Sequence, residues 1–227
     1  MKVALIGYGK MGCAIEKIAS TSGIKIVARI DSNSSEAEWN KIAQSDVCID
    51  FSHPDCLFSH LEKTKKFKKP IVVGTTGWYD QMDFVQAFIE KNDLSFIYAQ
   101  NFSLGMHLFM DVVSKAAKLI NSNLHYDVAL SEIHHRHKLD APSGTAHKLA
   151  DILIENIDRK SNINISSMRV GSVPGTHTVI FNSDHDTITL THEAHDRSMW
   201  ALGAIDAAKW IQNKKGFFTM SDMMGNR

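Results

Sequence analysis

The chain has 227 residues, 44% of them hydrophobic and 22% charged, with 25 acidic side chains against 25 basic ones. That length supports one large or two modest domains around a buried core, and a net charge of zero offers no field for a nucleic-acid or membrane-surface partner. The three cysteines, Cys13, Cys48 and Cys56, are odd in number and lack a CxxC spacing, so they read as small apolar residues of a reduced, cytoplasmic chain, not as a disulfide scaffold.

The opening MKVALIGYG is broken by glycine too early for a signal peptide, and no apolar run approaches a membrane span. Residues 2–6, 24–30, 46–51, 70–74 and 94–99 are short apolar runs separated by segments with charged faces. Parallel neighbours need crossovers and are buried on both faces, so this alternation predicts a doubly wound, Rossmann-type parallel sheet. Gly7-Tyr8-Gly9-Lys10-Met11-Gly12 is a GxGxxG between the first strand and a helical run. Its glycines allow a tight turn and a close approach to a pyrophosphate, and the helix N-terminus favours that charge. Asp31 ends the second strand nineteen residues after Gly12, where a carboxylate accepts from ribose hydroxyls. An acid there disfavours a 2′-phosphate, although Lys10 and Arg29 are close enough in sequence to offset it. NADH is therefore expected to be favoured slightly, with NADPH still usable. Ligands of open α/β sheets lie at the carboxyl ends of strands. Phe51 and Ser52 with His53, then Gly74, Thr75, Thr76 and Gly77, then Ala99, Gln100, Asn101 and Phe102 are accordingly expected to wall the cofactor.

After Asn101 the pattern changes to a helix over 104–120, a strand, a helix over 143–157 and alternating runs at 163–170, 176–182 and 187–193. The last three, with turns such as Asn182-Ser183-Asp184, predict a second α+β domain with a mixed, largely antiparallel sheet. A helix over 199–213 and a short tail with Phe217, Phe218 and Met220 close the chain.

The segment SEIHHRHKLDAPSGTA, residues 131–146, concentrates cationic and proton-transferring side chains at a strand-to-helix turn. If it stays extended, His134, Arg136 and Lys138 share one face, and His135 and His137 the other. Histidine serves as acid or base near neutral pH, lysine as a charged proton donor, and both as partners for carboxylates. Adjacent histidines on a strand diverge and the nearby cations oppose a divalent ion, so no metal is expected. Ser143-Gly144-Thr145 opens a helix whose free amides suit a carboxylate.

These motifs resemble those of the 4-hydroxy-tetrahydrodipicolinate (dihydrodipicolinate) reductase family over nearly the whole chain. EIHHRHKLDAPSGTA matches the family signature E-x-H-H-x-x-K-x-D-x-P-S-G-T-A, supported by FSHPD, VVGTTG, NFSLG and THEAHDRSMWALGA. The resemblance implies a proton donor/acceptor at His134, a proton-donating lysine at Lys138, a substrate contact at His135, and a carboxylate-holding pair at Gly144 and Thr145. It further implies a cyclic dicarboxylate substrate, a homotetramer through the second domain's sheets, a cofactor domain over 1–102, a substrate domain over 103–204, and a return of residues 205–227 to the first domain. The chain departs from the family in its shorter glycine loop with Lys10 in place of arginine, in Ser32 after Asp31, and in His53. A different carboxylate dehydrogenase or a nucleotide-sensing module are the competing readings, and a coupled assay separates them.

Overall fold

A computed structural model describes residues 1–225; residues 226 and 227, the end of the expected C-terminal return, lie outside the described residues. The chain divides into two compact units, one formed by Met1–Ser103 with the segment from Ser198 onward, the other by Leu104–Arg197.

The first unit alternates β1 (Lys2–Ile6), α1 (Lys10–Thr21), β2 (Lys25–Ile30), α2 (Glu36–Asn40), β3 (Val47–Asp50), α3 (Leu57–Lys65), β4 (Ile71–Val73), α4 (Met82–Lys91) and β5 (Ser95–Tyr98). The second unit contributes α5 (Leu104–Asn121), β6 (Asp127–His134), α6 (Gly144–Asn156), β7 (Asn164–Arg169), β8 (Gly175–Asn182) and β9 (Thr187–Ala194). The chain then returns to the first unit with α7 (Ser198–Trp210), β10 (Gly216–Thr219) and α8 (Met220–Met224).

Six strands form the first sheet in the order β10-β5-β4-β3-β1-β2, every pair parallel. Side-chain alternation sends Val3, Leu5, Val47, Ile49, Val72 and Ile97 to a core shared with α1 and α7. The intervening Ala4, Ile6, Cys48, Ile71, Val73 and Phe96 pack into a second core with α3 and α4. Burial on both faces is why these strands read as unbroken apolar runs. Of the cysteines, Cys48 is buried as expected, but Cys13 is exposed and Cys56 half-buried, so packing explains only the first. The tail does more than close the chain: its Phe217 stacks on Phe96 with ring centroids 5.0 Å apart, and β10 adds a sixth strand beside β5.

The second sheet runs β7-β6-β8-β9. The three late strands do not form a simple meander, because β7 pairs parallel with β6 on the far side from β8. The inward face, with Leu130, Val179 and Phe181, packs on α5 and α6 through Phe109, Val113, Leu149 and Leu153.

α7 meets the loop after β5 so closely that a Cβ at Gly203 would lie 1.7 Å from the Phe102 carbonyl oxygen. Because backbone must move to relieve this contact, Gly203→Ala is expected to destabilise the protein by about 3 kcal/mol or more. Urea unfolding monitored by circular dichroism should show the lowered midpoint.

Candidate active site

The carboxyl ends of β5, β4, β3, β1 and β2 lie side by side in the sheet order, so the expected cofactor segments follow one edge. Hydrogen bonds tie this edge together: Gly7 N donates to Ile30 O, Phe51 N to Ile6 O, Gly74 N to Asp50 O and Ala99 N to Val73 O. Gly7 has φ +84°, and a Cβ there would meet the Phe51–Ser52 backbone at 2.6 Å. A Cβ on Gly12 would meet Gly7 O at the same distance, whereas one on Gly9 would meet nothing within 4 Å. Internal packing thus accounts for Gly7 and Gly12 but not Gly9, which fits a backbone that must admit a phosphate. Gly9 also precedes α1 without a side-chain cap, leaving the helix amides available to an anion.

The remaining walls have different internal supports. Asp31 is exposed, and its Oδ1 accepts from Asn33 N at 2.9 Å and Ser34 Oγ at 3.2 Å, which orients the carboxylate at the end of β2. Phe51 lies over Gly74, where a Cβ would come 2.1 Å from its ring, and its centroid is 5.9 Å from that of Phe102. Ala99 and Phe102 are buried, so the second of these supplies a core ring as well as a backbone turn. Trp78 Nε1 donates to Thr75 O at 2.8 Å, while Thr76 and Gln100 face solvent. Asn101 Oδ1 accepts from Ser103 N at 2.8 Å.

Two acids absent from the expected set organise this edge. The fully buried Asp50 accepts from Ser52 N at 2.9 Å, contacts Thr75 Oγ1 at 3.5 Å, and pairs with His60 Nδ1 at 2.9 Å. Glu16 on α1 binds Arg29 through two hydrogen bonds and accepts a third from the Tyr8 hydroxyl, with the guanidinium 5.8 Å from the Tyr8 ring centroid. The expectation that Arg29 offsets Asp31 is therefore corrected. Arg29 is neutralised by Glu16, whose carboxyl Arg29 holds below the ordinary carboxylate range. Lys10 is exposed.

In the second unit, inward positions along β6 run Val128, Leu130, Glu132, His134. A carboxylate on that face requires partners, and strand register supplies them: Glu132 pairs with Ser167 on β7 and His177 on β8, and His134 pairs with Arg169. Glu132 Oε1 accepts from Ser167 Oγ at 2.8 Å, Arg169 Nη2 at 2.8 Å and Ser143 N at 3.1 Å. Burial alone would raise its pKa, but those hydrogen bonds and the neighbouring His134 bring it down to about 2. His134 Nδ1 lies 3.1 Å from Glu132 Oε2, at an angle short of a hydrogen bond. Burial lowers the His134 pKa against the pull of Glu132, and the cations Lys138 and Arg169 lower it further. His177 is pushed down to about 4, first by burial and then by His134.

The cationic segment does not stay extended. β6 ends at His134, and a turn closed by Lys138 N donating to His135 O breaks the predicted alternation. His135 is half-buried with its ring 6.3 Å from His137, while Arg136 and His137 are exposed. The turn brings Lys138 Nζ within 2.9 Å of Asp140 Oδ1. Ser143 caps α6 by accepting from Ala146 N. Gly144 is exposed at the helix start, a Cβ there would meet nothing within 4 Å, and Thr145 is half-buried beside it. Asp140 is lowered below the usual carboxylate range: the Lys138 ammonium beside it outweighs its partial burial.

His134, His135, Lys138, Gly144 and Thr145 thus lie along one strand-to-helix turn, whereas the side chains of Arg136 and His137 are exposed. Glu132, Arg169 and His177 were missed. An acid in phase with the apolar residues of an alternating strand was the available signal. Glu132, His134 and His177 place ligand atoms within 4.8 Å of one another, but a guanidinium on the same carboxylate opposes a divalent cation.

His177 is charged more readily in the unfolded chain than in the fold, so its contribution to stability is present above pH 6.5 and is lost as pH falls toward about 4. Wild-type unfolding free energy, from urea titrations at a series of pH values, should fall across that window. His177→Asn should flatten the fall.

Residues 1–102 match the family model described as dihydrodipicolinate reductase, N-terminus, and residues 105–224 match its C-terminus. The 4-hydroxy-tetrahydrodipicolinate reductase of Christiangramia forsetii is 39% identical over 100% of this chain and 98% of its own length. The reductase of the same name from Rickettsia bellii is 38% identical over 96% and 92%. Among solved structures, a dipicolinate-bound dihydrodipicolinate reductase from Paenisporosarcina shares the fold with a TM-score of 0.78 at 24% identity, covering 98% of this chain and 99% of that one. A parallel dinucleotide-type sheet, a mixed second sheet and a His-His-x-x-Lys turn leading into a Ser-Gly-Thr helix start thus occur in a chain that belongs to the dihydrodipicolinate reductase family.

Proposed function

We propose that this chain reduces 4-hydroxy-tetrahydrodipicolinate to tetrahydrodipicolinate with loss of water, the NAD(P)H-dependent reductase step of diaminopimelate and lysine biosynthesis. The observation that carries the substrate side is Asp140. Its carboxylate takes the Lys138 ammonium at 2.9 Å close before the start of α6, which supports a carboxylate as the ligand type. A substrate carboxylate engages the Gly144 and Thr145 amides, and His135 and Lys138 neutralise the remaining charge of a cyclic dicarboxylate.

The cofactor is held by Gly7, Tyr8, Gly9, Lys10, Met11 and Gly12, by Asp31, and by the segments Phe51–Ser52, Gly74–Thr76 and Ala99–Phe102. The open position at Gly9 and the uncapped start of α1 fit a pyrophosphate there. When bound, the reduced nicotinamide supplies a hydride, and the balance of the reaction then requires one proton and releases one water. Lys138, a cation at the turn, is the proton donor. His134, with Nδ1 toward Glu132 and a pKa lowered by burial, exchanges a proton at Nε2.

Cofactor choice follows from the first unit. Asp31 favours a ribose hydroxyl over a 2′-phosphate, and the neutralised Arg29 does not offset it, so NADH is preferred. Functional boundaries follow the two compact units: Met1–Ser103 with the return from Ser198 onward serves the cofactor, and Leu104–Arg197 serves the substrate. The outer face of the second sheet, with Thr187, Thr189, Thr191 and Glu193 exposed, is the assembly face of a homotetramer. Three free cysteines and no helix long and apolar enough to cross a membrane among the described residues support a cytoplasmic location.

An absorbance assay at 340 nm, with the freshly generated cyclic precursor and each cofactor, tests the assignment. Substrate-dependent oxidation should occur with a higher kcat/KM for NADH, and no turnover with either cofactor would overturn it. Lys138→Ala should lower kcat by about 100-fold or more, while NADH affinity from fluorescence titration stays unchanged. Near-normal turnover would remove Lys138 as the donor.

A further inference from the structure

We propose that Glu132 is a positioning residue that holds the His134 imidazole at Nδ1, so that Nε2 is the nitrogen offered for proton exchange. The inference rests on His134 exchanging a proton, as proposed above.

The two oxygens of Glu132 have different tasks. Oε1 is tied to the frame by Ser143 N, Ser167 Oγ and Arg169 Nη2, which belong to the start of α6 and to β7. Oε2 takes none of these donors and faces two imidazoles, with His134 Nδ1 at 3.1 Å and His177 Nε2 at 3.8 Å. A carboxylate that is 1% exposed and fixed by three donors on one oxygen cannot swing away from the ring. Its charge, 3.1 Å from His134 Nδ1 though at an angle short of a hydrogen bond, favours the tautomer with hydrogen on Nδ1 and leaves the Nε2 lone pair open. Space at Nε2 is kept by Gly175 on β8, where a Cβ would come within 3.0 Å of that nitrogen.

The same contact matters once Nε2 takes a proton. Charged and titratable groups face His134 from every side: Glu132 on its own strand, Arg169 on β7, His177 on β8, and Lys138 with Asp140 on the following turn. Arg169 and Lys138 oppose an imidazolium, and Asp140 is shared with Lys138. Glu132 is the buried carboxylate in contact with the ring, so it supplies most of what makes the charged form attainable. His177 sits against the His134 ring, with centroids 5.1 Å apart and nearly perpendicular planes. It limits ring rotation without adding charge.

The test uses the full-length protein carrying Glu132→Gln, with ¹⁵N-labelled histidine followed by NMR across pH and steady-state kinetics in parallel. The His134 titration should move down by about one pH unit, and the ¹⁵N shifts should lose their bias toward the Nδ1–H tautomer. In turnover, kcat should fall about tenfold or more while the substrate KM changes little, and the pH-rate limb assigned to His134 should move with the NMR titration. Glu132→Asp, which keeps the charge but shortens its reach, should recover part of both. Should Glu132→Gln fail to fold, the paired Glu132→Leu/Arg169→Met variant removes both buried charges, and the loss of tautomer bias is expected there too. An unchanged His134 tautomer in either folded variant overturns the proposal. Because the NMR readout needs no turnover, an inactive wild type would refute the assigned reaction and leave this inference separately testable.

Discussion

The functional end of the second unit depends on satisfying one buried carboxylate. Removing a carboxylate from water costs several kcal/mol unless it is paired and hydrogen-bonded, and Glu132 meets that demand with donors from β7 and from the residue that caps α6. The satisfaction is a matter of register. Sliding β7 along β6 would carry Ser167 and Arg169 away from the acid, and a one-residue slip would also turn them to the other face. Ser143 couples the arrangement to the helix, because its amide serves Glu132 while its hydroxyl caps the first turn. The position of the Gly144 amide and the orientation of His134 therefore have a common origin.

The first unit solves a related problem in a similar way. Asp50 closes β3 as a fully buried acid, binds the turn that follows through Ser52, reaches Thr75 on the neighbouring loop, and pairs with a histidine on α3. In both units an internal acid near a strand's carboxyl end fixes loops that chemistry will use. The acids face inward and the loops outward, so rigidity comes from the interior while the exposed amides remain available to ligands. Such support holds a site more firmly than loop chemistry alone.

The parallel character of the first sheet was open to sequence reading because parallel strands must be apolar on both faces and separated by crossovers, which five runs satisfied. The sixth, β10, was harder to see: Gly216–Thr219 is four residues long and half-buried throughout, and its pairing with β5 comes from a distant part of the chain. Local pattern could not place β7 either, since adjacency to β6 is a tertiary choice that sequential turns conceal. At the site, residue types were legible where they cluster in the chain, as from His134 to Thr145. Partners contributed by other strands were not, because Arg169 and His177 become neighbours of Glu132 only through cross-strand register. The extended reading of residues 135–138 failed for a local reason: the Lys138 to His135 turn satisfies backbone groups that no neighbouring strand pairs.

Zero net charge conceals several local ion pairs, three of which differ clearly in how they are held. Arg169 and Glu132 are both sheltered, with side chains 18% and 0% exposed, so an incoming anion would have to unpair a buried charge. Arg29 and Glu16 are more open but joined by two hydrogen bonds and flanked by Tyr8. Lys138 and Asp140 form a single contact, and the Asp140 side chain is 57% exposed. A pair whose lysine is 24% exposed and whose aspartate is open to water is worth about 1 kcal/mol or less. The three pairs thus differ in shelter and in the number of bonds that hold them, a property invisible in the sum of charges.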